Sequence, residues 1–440
     1  MVSTKKWTLA TAIAAAIALP ATALATTAGY FQLGYSSISD GMAGATAALP
    51  QDSMIQATNP AGIAFVGSRV DLGVAGFWPY RSYWSGAPVG GMPSPGTHSS
   101  SSNFFLIPHI GYSQRLSHDN YVGIAIYGNG GMSTNYHSPA AGATTGAGGP
   151  FYMGQTGVNL SQLFVQATYS RKFLRHDAIG LSLIFAHQSF SADGLGGFAA
   201  YSTNAQALSG NGVSTSNGVG FKVGGQFRLM PGINLGVAYS PRMTMSKFSK
   251  YSGLFAGGGR FDIPANGVIG LAFKPTASQV LAFDFQRIYY NDVPAIANPG
   301  PTNDEGCNPA TGTCASSPQD ADALGAPGGA GFGWQNISVY KIGYQMAVSR
   351  AVTARVGFAY NTQPIPSSQV LLNVLAPGVI QRHVTAGVTV RTGRRQDVTV
   401  AAMYGLPQSV YGNAPAGFGR APIKISLHEY QVEANWGWKF

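Results

Sequence analysis

Charged side chains are scarce in this chain, at 10% of 440 residues, and the formal net charge of +10 is spread without runs of lysine or arginine. Nucleic-acid binding is therefore not expected. After the first 25 residues the sequence lacks any long apolar run, which excludes a helical membrane protein. Glycine is abundant, at 59 residues, and 11% of the residues are aromatic. Hydrophobic residues make up 45% of the chain and are spread evenly along it, which is typical of strands that have one apolar face.

Cysteine is nearly absent: Cys307 and Cys314 are the only two, and they lie in a stretch rich in glycine, proline and aspartate from 294 to 333. In an exported protein, two cysteines so close in sequence favour a disulfide that closes a loop. No metal site or cofactor is expected there, because the nearby acidic residues are hard oxygen donors that combine poorly with thiolates. We predict an oxidised pair in an external loop.

The first 25 residues have the pattern of a secretory signal peptide. Lys5 and Lys6 precede an apolar run over 7–19, and small residues at Ala23 and Ala25 suit a signal peptidase. The run is too short to cross a bilayer as a helix, although a retained anchor is the alternative interpretation. The pattern predicts a signal peptide at 1–25 and a mature chain that begins outside the cytoplasm.

Alternation of apolar and polar residues is the strongest local signal. Over 339–348 one face would carry large apolar side chains such as Ile342, and the other would carry Lys341, Gly343 and Gln345. The same period of two appears at 221–229 and 383–391. The polar face of a soluble sandwich would usually carry many more charges. The pattern therefore favours strands that face lipid on one side and a watery lumen on the other.

Turn signals divide the chain into fourteen such strands. We predict them at 67–79, 104–115, 121–128, 158–172, 178–190, 217–229, 233–248, 261–274, 280–292, 336–348, 353–364, 381–392, 398–411 and 423–440. Short and long connections alternate between them, as in a closed barrel with short periplasmic turns and long external loops. We therefore predict an all-β, 14-stranded antiparallel β-barrel of the bacterial outer membrane over 67–440.

The carboxyl terminus fits this prediction. Alternate residues are apolar from Tyr430 onward, and Trp436, Trp438 and Phe440 suit an aromatic girdle near one interface. Outer-membrane proteins that use the barrel-assembly machinery typically end on an aromatic residue. We expect that machinery and the lipid and lipopolysaccharide of the outer membrane as partners, and we expect the barrel to be a monomer.

Residues 26–66 do not have the pattern of a barrel strand. Glycine, alanine and serine dominate, and Asn59, Pro60, Ala61 and Gly62 interrupt the segment. Fourteen strands enclose a lumen wider than side chains alone can fill, so we predict an N-terminal hatch inside the barrel. A periplasmic arm is the competing interpretation.

The chain resembles the FadL/TodX family of outer-membrane transporters for fatty acids and aromatic hydrocarbons over nearly all of the mature sequence. No single block is specific, and the ordered set carries the resemblance. The blocks lie at 41–48 with Asp52, 59–61, 107–112, 123–131, 235–241, 273–275 with Asp284, and 355–360 with Pro364.

The resemblance implies a route for a hydrophobic substrate. The substrate would enter a groove among the external loops, pass to an apolar lumenal pocket, and leave sideways where a kinked third strand faces the Asn59-Pro60-Ala61 element. The third predicted strand is 121–128, and Gly128, Gly130 and Gly131 would tolerate such a bend. Long-chain fatty acids are the leading substrate class, with aromatic hydrocarbons or alkanes as the alternative.

The same resemblance places the gating segment just after the cleavage site. There Tyr30, Phe31 and Leu33 are candidates for substrate binding and gating, although simple packing against the barrel wall explains them equally well. A fatty-acid carboxylate also needs a cation or an amide. The candidates, each of which could instead be an ordinary lumenal charge, are Arg81, Lys222, Arg228 and Lys341.

Two other functions compete with transport. An enzyme would need a catalytic constellation, and none of His109, His118, His187, His383 and His428 sits in a recognisable catalytic motif. A general diffusion porin would line its constriction with opposing charges and would lack a hatch. We therefore predict a transporter without enzymatic activity.

Overall fold

The computed structural model describes residues 27–88, 91–137, 148–301, 307–308, 313–314 and 322–440, with only the backbone described at 307–308 and 313–314. The signal peptide predicted at 1–25 lies outside the described residues. The N-terminal part from 27 to 68 contains short helical turns, and strands dominate thereafter.

The strands follow one another antiparallel around a closed ring. Their bounds are β1 Arg69–Ser85, β2 Gly96–Ser99, β3 Phe105–Arg115, β4 Asn120–Tyr136, β5 Thr156–Leu174, β6 Asp177–Asp193, β7 Ser214–Met230, β8 Ile233–Ser240, β9 Asn266–Phe273, β10 Gln279–Ile288, β11 Cys307–Asn308, β12 Thr313–Cys314, β13 Ile337–Ala347, β14 Val352–Asn361, β15 Arg382–Arg391, β16 Gln396–Asn413 and β17 Pro422–Lys439.

Ring closure joins the first strand to the last. Arg69 of β1 lies opposite Lys439 of β17, and the ladder continues to Ser85 opposite Ile423. Fourteen strands form the ring in the described structure, because β2 pairs with β1 alone and β11 pairs only with β12. The predicted 14-stranded antiparallel barrel is confirmed.

The helical elements are one or two turns long. The α-helices are α1 Ser37–Asp40, α2 Ile55–Thr58, α3 Ala256–Gly259, α4 Pro294–Ala297 and α5 Val370–Asn373, and 3₁₀ turns occur at Pro60–Phe65, Gly196–Tyr201, Ala205–Ala207, Ser249–Tyr251, Tyr290–Asp292, Ser367–Gln369 and Ala416–Phe418. Across the described ranges, no helix has the length and apolar character needed to cross a membrane.

The side chains of the barrel wall point inward and outward as the alternation in the sequence predicts. On β13 the outward Tyr340 and Ile342 are exposed, whereas Lys341 between them is buried toward the lumen. Outward-facing Phe221 and Val223 of β7 are exposed in the same way. A closed ladder leaves no unpaired sheet edge, and its outer face is apolar, which is the condition for spanning a bilayer with strands.

Two predicted strands are shorter than the sequence indicated. β8 ends at Ser240 and not at 248, and β9 begins at Asn266 and not at 261. Pro241 and Pro264 explain the difference, because proline has no N–H to donate to a ladder. The chain between them leaves the wall and folds over the barrel mouth, where Phe248 and Phe261 are fully buried.

The third barrel strand is longer than predicted. β4 continues to Tyr136, and its register with β5 shifts between Gly128 and Gly130. The glycines therefore form a β-bulge within a continuing strand and do not end it.

Candidate functional site

Residues 27–66 lie within the barrel against a ring of small residues that we call the glycine belt. A Cβ atom added to any of these glycines would come within 3.1 Å of an atom of residues 41–61. The belt consists of Gly111, Gly123, Gly180, Gly224, Gly236, Gly270, Gly343, Gly357 and Gly387, which lie on nine different strands. The N-terminal backbone thus approaches the wall more closely than any side chain would permit.

Buried lumenal side chains hold this segment by its backbone. Lys341 Nζ donates to the carbonyl oxygen of Leu33 at 2.8 Å, and Lys222 Nζ donates to that of Ala57. The Asp284 carboxylate accepts from the N–H groups of Thr46 and Ala47 at 3.0 and 2.9 Å. Both lysines were candidates for a substrate carboxylate, and in this structure they donate to backbone carbonyl oxygens of the segment 27–66.

The other two sequence candidates for a substrate carboxylate are Arg81 and Arg228. Arg81 is buried and donates from Nη1 to the carbonyl oxygen of Ser102 at 3.3 Å. Arg228 is exposed near the short turn between β7 and β8. Among the described residues, no group of three or more His, Cys, Asp or Glu side chains is arranged to hold a metal ion.

Asn59 fixes the turn that the sequence singled out. Its backbone is extended, as expected before a proline, and its side-chain amide donates to the carbonyl oxygens of Ala47 and Gly225 at 2.9 and 3.0 Å. Its Oδ1 accepts from the N–H of Ala61 at 3.1 Å. The amide therefore ties two parts of the hatch to β7.

The position of this element differs from the one that the resemblance implies. Asn59 and Pro60 pack against Gly224 of β7, and Ala61 packs against Gly180 of β6. The following 3₁₀ turn touches β4 at Tyr121, far along the strand from the bulge. The bulge of β4 is instead covered by the first described residues of the chain.

Residues 30–32 pair with the wall at that bulge. Gly131 donates its N–H to the Tyr30 carbonyl oxygen at 3.2 Å, and Gln32 donates its N–H to the Asn129 carbonyl oxygen at 3.3 Å. The Gln32 amide also donates to the Gly128 carbonyl oxygen at 2.9 Å. A Cβ at Gly130 would lie only 1.8 Å from the Tyr30 carbonyl oxygen, so only glycine permits this pairing.

Tyr30 is enclosed by aromatic side chains from the external loops. Its ring centroid lies 5.4 Å from that of Tyr290, 6.1 Å from that of Phe261 and 6.2 Å from that of Trp334. The Tyr290 hydroxyl donates to the Ala28 carbonyl oxygen at 2.7 Å and accepts from the Tyr30 N–H at 3.1 Å. Tyr290 therefore fastens the tip of the hatch, and burial raises the pKa of Tyr30 well above its ordinary value.

A chain of aromatic rings connects this enclosure to an apolar pocket nearer the outside. Phe261 lies 5.0 Å from Phe255, and Phe255 lies 4.7 Å from Phe190. The pocket is lined without any charged or polar side chain, by Val158, Phe190, Leu195, Phe198, Leu208, Leu254, Phe255, Ala295, Leu324, Ala330, Gly331, Phe332, Leu372 and Leu375. Its cavity volume is about 20 Å³, so a ligand larger than water requires the lining to move.

Sequence reasoning identified Tyr30, Phe31 and Leu33, all of which are buried in this region, but it missed Tyr290, Trp334 and Phe255. These three residues lie in loops, where the sequence has no hydrophobic period from which burial could be predicted. A signal existed in Trp334, the isolated tryptophan that directly follows the glycine-rich stretch 328–333. Cys307 lies opposite Cys314 in the backbone pairing of β11 with β12, while the thiol side chains lie outside the described residues, so the disulfide stays a prediction.

Two carboxyl groups of the segment 27–66 are buried, and we expect its docking to depend on pH. Burial, aided by the neighbouring Asp71 carboxylate, raises the pKa of Asp52 to about 6, and burial also raises the pKa of Asp40. Asp52 accepts from the Ser36 hydroxyl at 2.6 Å, and Asp40 accepts from the Gln431 amide at 2.7 Å. The docked hatch therefore favours the protonated acids.

We expect the hatch to dock most firmly in acid. For a raised pKa, the stabilisation is complete below the ordinary carboxyl pKa of about 4 and is lost as the pH rises through the value of about 6 for Asp52. Channel openings in planar bilayers should thus be more frequent at pH 8 than at pH 5. Asp52→Asn should flatten this dependence, whereas Asp119→Asn in an exposed turn should leave it unchanged. An identical pH dependence in Asp52→Asn would contradict the assignment.

Comparison with known proteins bears on the fold. No family model matches the chain, and no curated protein matches it in sequence. Among solved structures, the Pseudomonas putida toluene transporter TodX is 18% identical, with 93% of this chain and 99% of that chain covered at a TM-score of 0.65. A Pseudomonas aeruginosa FadL homologue is 13% identical, with 93% and 100% covered at a TM-score of 0.66.

The Ralstonia pickettii toluene transporter TbuX is similar to the same extent. It is 16% identical, with 93% of this chain and 99% of that chain covered at a TM-score of 0.62. These structures are transporters or a homologue of one, and each comparison covers 93% of this chain. The chain therefore has the fold of the FadL- and TodX-type transport proteins, as its sequence blocks implied.

Proposed function

We propose that this barrel transports small neutral hydrophobic molecules across the outer membrane, with aromatic hydrocarbons as the best-supported substrate class. The observation that carries the proposal is the uncharged aromatic path from Phe190 through Phe255 and Phe261 to Tyr30. The path starts at an entirely apolar pocket among the external loops and ends at the β4 bulge. The toluene transporters TodX and TbuX share the fold.

The physical chemistry of the path suits such a cargo. Each methylene group removed from water contributes about 0.8 kcal/mol, and aromatic pairs add about 0.5–1.5 kcal/mol. A charged group would lose its hydration along the path without gaining a partner. A cargo of a few carbon atoms therefore moves from ring to ring without a polar intermediate.

Passage requires the tip of the hatch to move. The pocket is nearly filled, and Tyr30 and Phe31 close the inner end of the path. Displacement of residues 30–32 would expose the backbone of Gly128, Gly130 and Gly131. Release sideways through the wall at this bulge suits a hydrophobic cargo, because the cargo then enters the bilayer without crossing water.

Long-chain fatty acids are the second candidate, and the buried lysines favour them. Lys341 and Lys222 hold hatch carbonyl oxygens in the docked state. If the hatch moves, each ammonium loses its acceptor and becomes available to a carboxylate. This candidate needs a hatch displacement larger than movement of the tip alone, since Lys222 contacts Ala57 deep in the segment.

A charge placed in the aromatic path tests the proposal. We expect Phe255→Asp to lower the rate of labelled toluene uptake by cells about tenfold or more, because an unpaired buried carboxylate costs several kcal/mol. Val213→Asp is the matched control, since Val213 is on the same external side and is 60% exposed. Heat-modified gel mobility would show that both barrels fold. Unchanged toluene uptake by folded Phe255→Asp would refute the path.

Parallel uptake of labelled oleate separates the two substrate classes. An aromatic-hydrocarbon transporter should take up toluene faster than oleate, relative to cells without the protein. A preference for oleate that Lys341→Met abolishes would favour the fatty-acid alternative.

A further inference from the structure

A row of four serines crosses the outer face of the barrel at its closing seam. Ser409 of β16 lies opposite Ser426 of β17, Ser426 opposite Ser82 of β1, and Ser82 opposite Ser99 of β2. Directly paired residues point to the same side of a sheet. The hydroxyls of Ser409 and Ser426 are 2.9 Å apart.

Larger side chains border the row above and below. Toward the loops, Lys424 lies between Tyr411 and Trp84 in the same ladder. Toward the membrane, Tyr80 stacks on His428 with ring centroids 4.9 Å apart and planes at 12°. Small residues between two rows of large ones leave a hollow of about 400 Å³, which we call the serine trough.

The trough has one sign of charge. Lys424 is the charged side chain on the outer face of its lining, which contains neither aspartate nor glutamate. The Arg81 side chain, whose backbone borders the trough, is buried on the opposite face of β1. Lys424 extends across the Tyr411 ring with its ammonium 5.3 Å from the ring centroid. Asn103, which also lines the trough, has a buried Oδ1 without a hydrogen-bond partner among the described residues. A polar ligand can satisfy such an acceptor.

The height of the trough places it at the outer headgroup layer. Trp436 and Trp438 mark the girdle on the side of the short turns. From Trp438 to Ser426 the strand rises roughly 30 Å, at about 3.3 Å per residue and a tilt of about 40°. The apolar band of such barrels is about 25 Å tall, so the trough lies just beyond its external edge.

We propose that the serine trough binds the phosphorylated sugar headgroup of an outer-leaflet glycolipid, the chemistry of lipopolysaccharide. The serines offer hydroxyls to a sugar, the aromatic borders offer flat apolar faces, and Lys424 pairs with a phosphate. An acyl chain is a poor occupant, because it would cover the serine hydroxyls without replacing their hydrogen bonds to water. Free of acidic groups, the trough does not repel a phosphate.

The test uses the full-length protein purified in detergent, with bound lipid measured by native mass spectrometry and by the concentration dependence of thermal stabilisation. The probes are lipopolysaccharide, the same preparation after dephosphorylation, and phosphatidylglycerol. Lys424→Gln should weaken lipopolysaccharide binding about tenfold, as expected for loss of one charge-assisted contact. Ser426→Trp, which fills the trough, should abolish binding.

Lys274→Gln is the matched control, because Lys274 is exposed beside a short turn at the opposite membrane surface and its loss should change nothing. Wild-type affinity in Lys424→Gln would overturn the proposal, even if Ser426→Trp failed to fold. Equal binding of dephosphorylated lipopolysaccharide would overturn the role of the phosphate. Equal or tighter binding of phosphatidylglycerol would overturn the choice of a glycolipid. Hydrocarbon uptake is measured separately, so failure here leaves the proposed transport untouched.

Discussion

The Gly130→Val variant should form a barrel that opens to ions far more often than the wild type. A Cβ atom at this position would lie 1.8 Å from the Tyr30 carbonyl oxygen and close to the Phe31 Cα, so residues 30–32 cannot remain paired with the bulge. Steric overpacking of this kind costs about 1–3 kcal/mol, which corresponds to a roughly fivefold to 150-fold shift toward the undocked tip. We expect the open fraction in planar bilayers to rise by that factor.

Gly393→Val is the control for this variant. Gly393 lies in the short turn between β15 and β16, and a Cβ there would meet nothing within 4 Å. Heat-modified gel mobility should be normal for both variants, because the strand ladder does not depend on the hatch tip. A Gly130→Val channel as closed as the wild type would mean that the contact of residues 30–32 with β4 does not close the path.

The second large effect concerns the wall itself. Ile342→Arg should lower the free energy of unfolding by about 2–4 kcal/mol, because the arginine would lie on the lipid face near the middle of the apolar band. Ile342 points outward from β13 between Phe283 and Phe358 of the neighbouring strands. Equilibrium unfolding in urea, with the protein reconstituted in lipid, would measure the loss.

The Met346→Arg variant tests whether the cost depends on the depth of the residue in the membrane and not on its exposure. Met346 lies on the same face of the same strand and is 37% exposed, against 38% for Ile342, but it is beside a short turn at the interface. The cost there should be only about 0–1 kcal/mol. Equal losses in the two variants would show that the facing or the depth of β13 has been misassigned.

The wall could be predicted from sequence because the direction of a side chain along a strand is a local property. Alternation over 339–348 correctly assigned Lys341 to the lumen and Ile342 to lipid. Turn signals gave the number of strands, and the alternation of short and long connections indicated a closed barrel. The predicted end of β8 and the predicted start of β9 were wrong. Apolar residues beyond Pro241 and before Pro264 continue the pattern of a strand, but they are buried in the loop, because proline has no N–H to donate to the ladder.

The site could be predicted only in part. Tyr30 and Phe31 follow the proposed cleavage site, and the buried enclosure contains them, but their partners Tyr290 and Trp334 come from distant loops whose packing has no period. That Asn59 and Pro60 interrupt the segment followed from the sequence. Its position against β7 did not, since nothing local specifies which strand a lumenal segment will face.

The glycine belt also explains what the barrel would be without its hatch. Strand pairing fixes the circumference, and glycine contributes no side chain to the bore, so the lumen is widest at the level where the hatch lies. At these glycines the N-terminal segment meets the backbone of the wall directly, and hydrogen bonds of polar side chains such as Lys341, Asp284 and Asn59 hold it there. If those hydrogen bonds release and the segment moves, the nine glycines have no side chains with which to fill the vacated space.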